Sequence, residues 1–312
     1  MHWKSLILGC AMLFSPGLHG TAMAQQAEAA ARPAPAADAP AVHARPALWA
    51  VRDDDTTIYL FGTIHLLKPG VSWFEGPVRA AFDESQTVVL EVIDQNEGGA
   101  QDAIMRRALD IGGLPLSNKL DEETRTAYFA ALEKHGAPVM VYDRVRPWFA
   151  ALTLAVLPLR SLGYSPETGV DRAIHAAATD AGKQLIGLET SAEQIGFFET
   201  MPEGLQLTLL NETIRELPEL PETIEEMIAA WSAGDEDALA AIMNETAESS
   251  EEIERILLTE RNERWSDWIA ARMRQPGTVF MAVGAGHLAG DKSVQAMLEQ
   301  RGLVAQRIER TE

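Results

Sequence analysis

Thr57-Ile58-Tyr59-Leu60-Phe61-Gly62-Thr63-Ile64-His65, near the start of the chain, and Thr278-Val279-Phe280-Met281-Ala282-Val283-Gly284-Ala285-Gly286-His287, near its end, share one plan. In each, a short run rich in β-branched and aromatic residues is followed at once by Gly-x-x-His. Such runs read as strands. A glycine at a strand end lets the backbone turn sharply or approach a ligand, and a histidine there supplies a metal bond or a proton. Open α/β sheets bind their ligands beyond the strand ends. A plainer reading, in which each histidine caps a turn by bonding a backbone carbonyl, accounts for one copy more readily than for two.

Further strands follow outward from these two. Residues 49 to 52 pair with 57 to 61 as a hairpin closed by Asp53-Asp54-Asp55, and Thr87-Val88-Val89-Leu90-Glu91-Val92 follows a short helix from Pro77 to Glu84. Gln184 to Glu189 and Val304 to Ile308 complete the set. Between the groups, apolar residues fall at helical spacing over 121–134, 146–162, 168–181, 191–200, 203–215, 221–232, 235–246 and 249–274. Asp121 with Thr124, a Ser191-x-x-Gln194 capping box, and Pro221 at a first helical position mark several helix starts. The pattern predicts an α/β fold: a small mixed central sheet built from both ends of the chain, covered by a large helical insert.

The first residues do not belong to that fold. Met1-His2-Trp3-Lys4 is a short basic start, Leu6 to Phe14 is apolar, and Ala22-Met23-Ala24 is a small-x-small cleavage signal. The apolar stretch is far short of the roughly 20 residues a membrane span needs. Residues 1–24 therefore read as a cleaved export signal, 25–46 as an Ala/Pro-rich linker, and 47–312 as the domain, with a periplasmic or secreted location and no stable membrane span after cleavage. Cys10, the only cysteine, lies in the signal, so any metal must be held by His and carboxylates. The formal charge of −20 becomes −21 once Lys4 is removed, a balance that repels phosphate backbones and argues against nucleic-acid binding.

Glu91 interrupts an apolar strand, where a charge is costly unless it is paired or metal-bound. With the strands ending at Phe61, Leu90 and Val283 adjacent, His65, Glu91 and His287 converge at one edge. Two His and one carboxylate make a common first shell for a divalent ion with open positions; a solvent-exposed Glu91, or one bonded to a basic side chain, is the plainer alternative. Glu189 completes such a shell, serves as a general base, or simply favours a helix N-terminus. Asp171 reads as a helix cap. Arg261-Asn262 lies on a long helix with Trp265 and Trp268 in the core, and Arg261 is placed to clamp a carboxylate or a polarised carbonyl. His135 and His175 read as structural.

In this order, Leu60-Phe61-Gly62-Thr63-Ile64-His65, Val89-Leu90-Glu91, Gly169-Val170-Asp171, Gly187-Leu188-Glu189-Thr190, Arg261-Asn262-x-x-Trp265 and Val283-Gly284-Ala285-Gly286-His287-Leu288 resemble the TraB/GumN family, which includes the Tiki metalloproteases. The resemblance spans about residues 47 to 310. It implies a fold related to the erythromycin-esterase and ChaN-like proteins and places His65, Glu91 and His287 at the active centre. Tiki members cleave peptides with a divalent metal, and the esterase relatives use similar His and Glu residues without one. The expectation is an exported metal-dependent hydrolase (Mn, Co or Zn), with Glu189 or a free carboxylate oxygen as base and a peptide or cell-envelope polymer as substrate. The alternatives are a metal-free esterase-like hydrolase with His65 as base, and a non-catalytic protein that binds haem or a polymer in the same cleft.

Overall fold

The computed structural model describes residues 42–93, 97–244 and 250–309. Its centre is a six-stranded mixed sheet in the order β6-β5-β7-β3-β2-β8. The strands are β2 (Leu48–Arg52), β3 (Thr56–Thr63), β5 (Thr87–Val92), β6 (Gln184–Glu189), β7 (Gly277–Gly284) and β8 (Ala305–Arg307). Four of them, β6, β5, β7 and β3, run parallel, so their C-terminal ends share one edge. β2 joins β3 as the expected antiparallel hairpin. Asp53 closes it, its Oδ1 accepting from the Thr56 amide at 2.8 Å and the Asp55 amide at 3.2 Å.

Side chains alternate across the sheet, as the pleat requires. Tyr59, Phe61, Val88, Leu90, Phe280 and Ala282 enter the core on one face, which is covered by the helical insert. Ile58, Leu60, Val89, Val279, Met281 and Val283 enter a second core, packed against Trp265 and Ile269 of the helix Glu260–Arg272. Burial on both faces explains why these strands read as continuous apolar runs.

The insert follows the helical spacing closely: Glu122–Lys134, Pro147–Ser161, Val170–Asp180, Ser191–Glu199, Glu203–Glu216, Leu220–Ala233 and Glu236–Asn244. Glu97–Ala108 is a further helix that the spacing did not reveal. The last long helix is not uniform, because Arg255–Thr259 between Glu251–Glu254 and Glu260–Arg272 is π-helical. The capping box of Ser191–Glu199 also differs from expectation. It is made by Thr190 and Glu193, one residue earlier than the Ser191/Gln194 pairing, and Gln194 is thereby released for another task.

The expected signal segment and most of the linker lie outside the described residues. The fold itself begins inside the stretch read as linker. β1 (Val42–His43) pairs with β4 (Val71–Ser72), and the next two amides donate to Ser72 O and Ser232 O at 2.7 and 2.6 Å. Among the described residues, no helix is long and apolar enough to cross a membrane.

Candidate active site

β3 and β7 stay paired as far as Thr63 and Gly284, whereas β5 and β7 part after Leu90 and Ala282. Where they part, Glu91 takes over from the backbone ladder: its Oε1 accepts from the Gly284 amide at 2.6 Å. The glycines of both motifs permit close approach here. A Cβ on Gly62 would stand 3.1 Å from the Cα and Cβ of Ala285, so the two Gly-x-x-His turns pack on one another. A Cβ on Gly284 would stand 3.0 Å from Glu91 Oε1 and 3.7 Å from both His65 Nε2 and His287 Cδ2. The three residues therefore border one small space, and all three are buried.

The first motif is completed by the insert. The helix Val170–Asp180 docks its N-terminus on the Gly62–His65 turn, the Val170 amide donating to Ile64 O at 2.9 Å. Gly169 makes the docking possible, since a Cβ there would meet His65 O at 2.3 Å. This docking delivers Asp171, which does not cap the helix; the N-cap is Gly169. Asp171 Oδ2 lies 2.5 Å from His65 Nδ1, and its Oδ1 accepts from Thr63 Oγ1 at 2.5 Å. A carboxylate only accepts, so Nδ1 carries the proton. His65 Nε2 is buried and has no hydrogen-bond partner among the described residues. Burial drives the His65 pKa down, but the charge and hydrogen bond of Asp171, together with the charge of Glu91, outweigh it and raise the pKa above the usual value.

The second motif has the opposite surroundings. His287 Nδ1 lies 2.6 Å from Asn262 Oδ1, and Asn262 Nδ2 donates to Lys292 O at 2.7 Å. His287 Nε2 accepts from Arg261 Nη1 at 3.0 Å, because a guanidinium can only donate. Burial, the Arg261 charge and the His65 charge hold the His287 pKa well below the usual value. Its ring lies 4.3 Å from that of Trp265.

Arg261 is the centre of the arrangement. Nε donates to Glu189 at 2.9 and 3.1 Å, and Nη2 to Glu91 Oε2 and Glu189 Oε2 at 2.8 Å each. Nη1 serves His287 and, at 3.1 Å, Leu257 O in the π-helical segment. A single π-helical turn close to a functional side chain is a recurring device; here Arg255–Thr259 supplies the carbonyl that steadies the guanidinium. Gln194 bridges Glu91 and Glu189, its Nε2 lying 3.1 Å from an oxygen of each. Arg264, half exposed, reaches Glu189 Oε1 at 3.3 Å and stacks with Arg261 against Phe197. It marks the side on which this network meets solvent.

His65, Glu91, His287, Glu189, Arg261 and Asn262 are thus brought together, while His135 is the C-cap of the helix Glu122–Lys134 and His175 lies one turn beyond Asp171 on the helix Val170–Asp180. Asp171 and Gln194 join the site although the sequence reading gave each a helix-end role. Glu91 is bonded to a basic side chain, the plainer of its expected settings. As arranged, the donor set does not fit a metal ion. The His287 Nε2 lone pair and the facing oxygens of Glu91 and Glu189 are engaged by Arg261 already, and His65 Nε2 is left bare by the described residues. Among the described residues, no group of three or more His, Cys, Asp or Glu side chains is disposed to hold one.

The model of the TraB/PrgY/gumN family matches residues 47–307, and the chain belongs to that family. It is similar to an uncharacterized protein, YbaP, of Escherichia coli K12, with 26% identity over 184 residues, covering 59% of this chain and 67% of that protein. The Shigella flexneri protein of the same name matches equally. An uncharacterized Treponema pallidum protein is 18% identical over 283 residues, covering 84% of this chain and 82% of that one. No solved structure matches at the same stringency.

Proposed function

We propose that this chain is an exported hydrolase of acyl bonds, acting on a peptide or cell-envelope substrate, in which His65 is the general base. The observation that carries this reading is the bare, buried Nε2 of an imidazole whose other nitrogen is fixed by Asp171. That arrangement sets the tautomer, leaves a lone pair for a water proton, and stabilises the imidazolium that results. His65 Nε2 takes the proton of a water as the water oxygen adds to the substrate carbonyl carbon. The imidazolium, held between the charges of Asp171 and Glu91, returns the proton to the leaving oxygen or nitrogen as the acyl bond breaks. Substrate approaches from the side of Arg264. The kinship to erythromycin-esterase and ChaN-like folds, implied by the sequence resemblance, belongs to the same reading.

The test is a library of peptides and esters offered to the wild type, Glu91→Gln and His65→Ala, with chelator and separately with manganese, cobalt or zinc. Cleavage in chelator that vanishes in His65→Ala supports the proposal. Cleavage only with added metal replaces it by the metal-dependent hydrolase expected from the resemblance, and no cleavage by the wild type transfers the cleft to the haem- or polymer-binding alternative. Export rests on the basic start, short apolar stretch and Ala-x-Ala signal. Amino-terminal sequencing of protein from the cell envelope checks it, with Gln25 as the expected first residue.

A further inference from the structure

We propose that residues 105–114 and 140–144 form a tip by which this chain docks on an anionic phospholipid surface. The inference goes beyond the hydrolase reading and does not depend on it.

Apolar exposure in this molecule is concentrated in one place. Seven large apolar side chains are exposed among the described residues, and five of them, Met105, Ile111, Leu114, Met140 and Val141, fall in these two segments. Such residues scattered singly need no explanation, whereas a contiguous group marks an interaction surface. Backbone contacts bring the two segments together. The Asp110 amide donates to Arg144 O at 2.8 Å, the Leu116 amide to Asp143 O at 2.9 Å, and Leu109 bridges Val145. The loop between these contacts presents Ile111 and Leu114, and the short helix Val139–Tyr142 presents Met140 beside them.

The charge of the tip is opposite to that of the chain. Residues 105–119 and 134–146 hold six Lys or Arg and two Asp, in a chain of formal charge −20. Both acids are engaged within the loop: Asp110 accepts from Lys119 Nζ at 3.0 Å, and Asp143 Oδ1 from the Ser117 amide at 2.8 Å. The next acids, Asp102, Asp121 and Glu133, lie on or at the ends of the flanking helices. Arg106 and Arg144 are exposed and form no ion pair among the described residues.

Ile111 and Met140 are 82% and 87% exposed, so they stand clear of neighbours and line no groove. Side chains so placed suit a medium that deforms around them. In the interfacial zone of a bilayer, apolar groups sink roughly 5 to 10 Å while basic groups meet the phosphates. A second copy docking through the same patch would set the same arginines against one another. The acidic remainder of the chain is screened beyond about 8 Å at physiological ionic strength, so the lipid responds mainly to the face it meets.

The experiment sediments the purified chain, its amino terminus checked by sequencing, with vesicles of phosphatidylcholine alone or mixed equally with phosphatidylglycerol, in low and high salt. The wild type is expected to sediment with the anionic vesicles and to be released by salt. Ile111→Ser/Met140→Ser should lower the partition by about tenfold or more, and Arg106→Gln and Arg144→Gln by about fivefold each. Val304→Ser, at an exposed apolar side chain outside the tip, should change nothing. All these sites are on the surface, so melting temperature and turnover of a soluble substrate should stay as in the wild type. No sedimentation with anionic vesicles overturns the inference, as does equal binding to neutral ones or full binding by the tip variants. A dimer that the tip variants dissolve, found by sedimentation velocity without vesicle binding, assigns the patch to a second copy and overturns it too. Failure of the hydrolase reading shows separately, as absence of turnover with or without vesicles.

Discussion

The two Gly-x-x-His turns touch each other, end adjacent parallel strands, and differ in almost every electrical respect. His65 faces the carboxylate of Asp171 and keeps a bare Nε2, and its pKa is raised; His287 faces the amide of Asn262 and the guanidinium of Arg261, and its pKa is held well below normal. The strand end determines only where an imidazole stands. Its proton affinity is set by whichever helix docks against it, Val170–Asp180 for the first turn and Glu260–Arg272 for the second. One motif used twice thus yields one histidine with raised proton affinity and one with lowered proton affinity, side by side.

The largest effect that can break this contrast is on turnover. His65→Ala should lower kcat by about 10⁴, the upper range for removing a general base. His287→Ala should cost about 10²-fold, because it only frees one guanidinium bond and leaves the base in place. Equal losses, measured at saturating substrate, would show that the two histidines share one role.

Asp171→Asn sharpens the contrast through pH. With the carboxylate gone, burial has less opposing it, and the His65 pKa should fall toward that of His287, as read by NMR titration of the two rings. In the wild type, activity should rise with pH through a His65 value above about 6.5, where the base becomes free. In Asp171→Asn that limb should move to lower pH while the maximum rate drops by about 10³ to 10⁴, as the tautomer is no longer fixed. Stability follows the same signs. The raised His65 pKa contributes stability fully below about 6.5 that is lost as pH rises through its folded value. The depressed His287 pKa contributes stability above about 6.5 that is lost as pH falls. Urea melts across this range should therefore lose an alkaline-side decline in Asp171→Asn and keep the acid-side one. An unchanged pH profile would remove Asp171 from the account of His65.

The smallest effect separates the two glycines. Gly62→Ala meets the backbone of Ala285 at 3.1 Å, which cannot rotate away, and should lower stability by about 1 to 3 kcal/mol. Gly284→Ala meets the Glu91 carboxylate at 3.0 Å, a side-chain oxygen, so chemical denaturation should show a smaller loss while turnover falls more. The reverse order would mean that Glu91 is the more rigid neighbour.

The strands carrying these motifs were legible in the sequence because a sheet buried on both faces writes its members as unbroken apolar runs, and a glutamate within such a run stands out. The ordered motifs were sufficient for the family. Asp171 was not legible as a partner of His65, since an acid in a first helical turn looks the same whether it caps its own helix or serves a turn 106 residues away. Gln194 was hidden by a one-residue shift in the capping box, and a side chain's use depends on that shift. The central place of Arg261 was also beyond reach. Spacing along the helix puts Arg261, Trp265 and Ile269 on one face, but it does not reveal that two acids from separate strands meet the first of them.

β7, formed by residues 277–284, lies between β5 and β3, so the parallel core is divided until nearly the last tenth of the chain is in place. A polypeptide made from its amino end therefore has His65 and Glu91 on two strands with a gap between them, and gains His287 together with the strand that unites them. The order of assembly is thereby written into the topology: the cluster around Glu91 is complete only once the last of the parallel strands has entered the sheet.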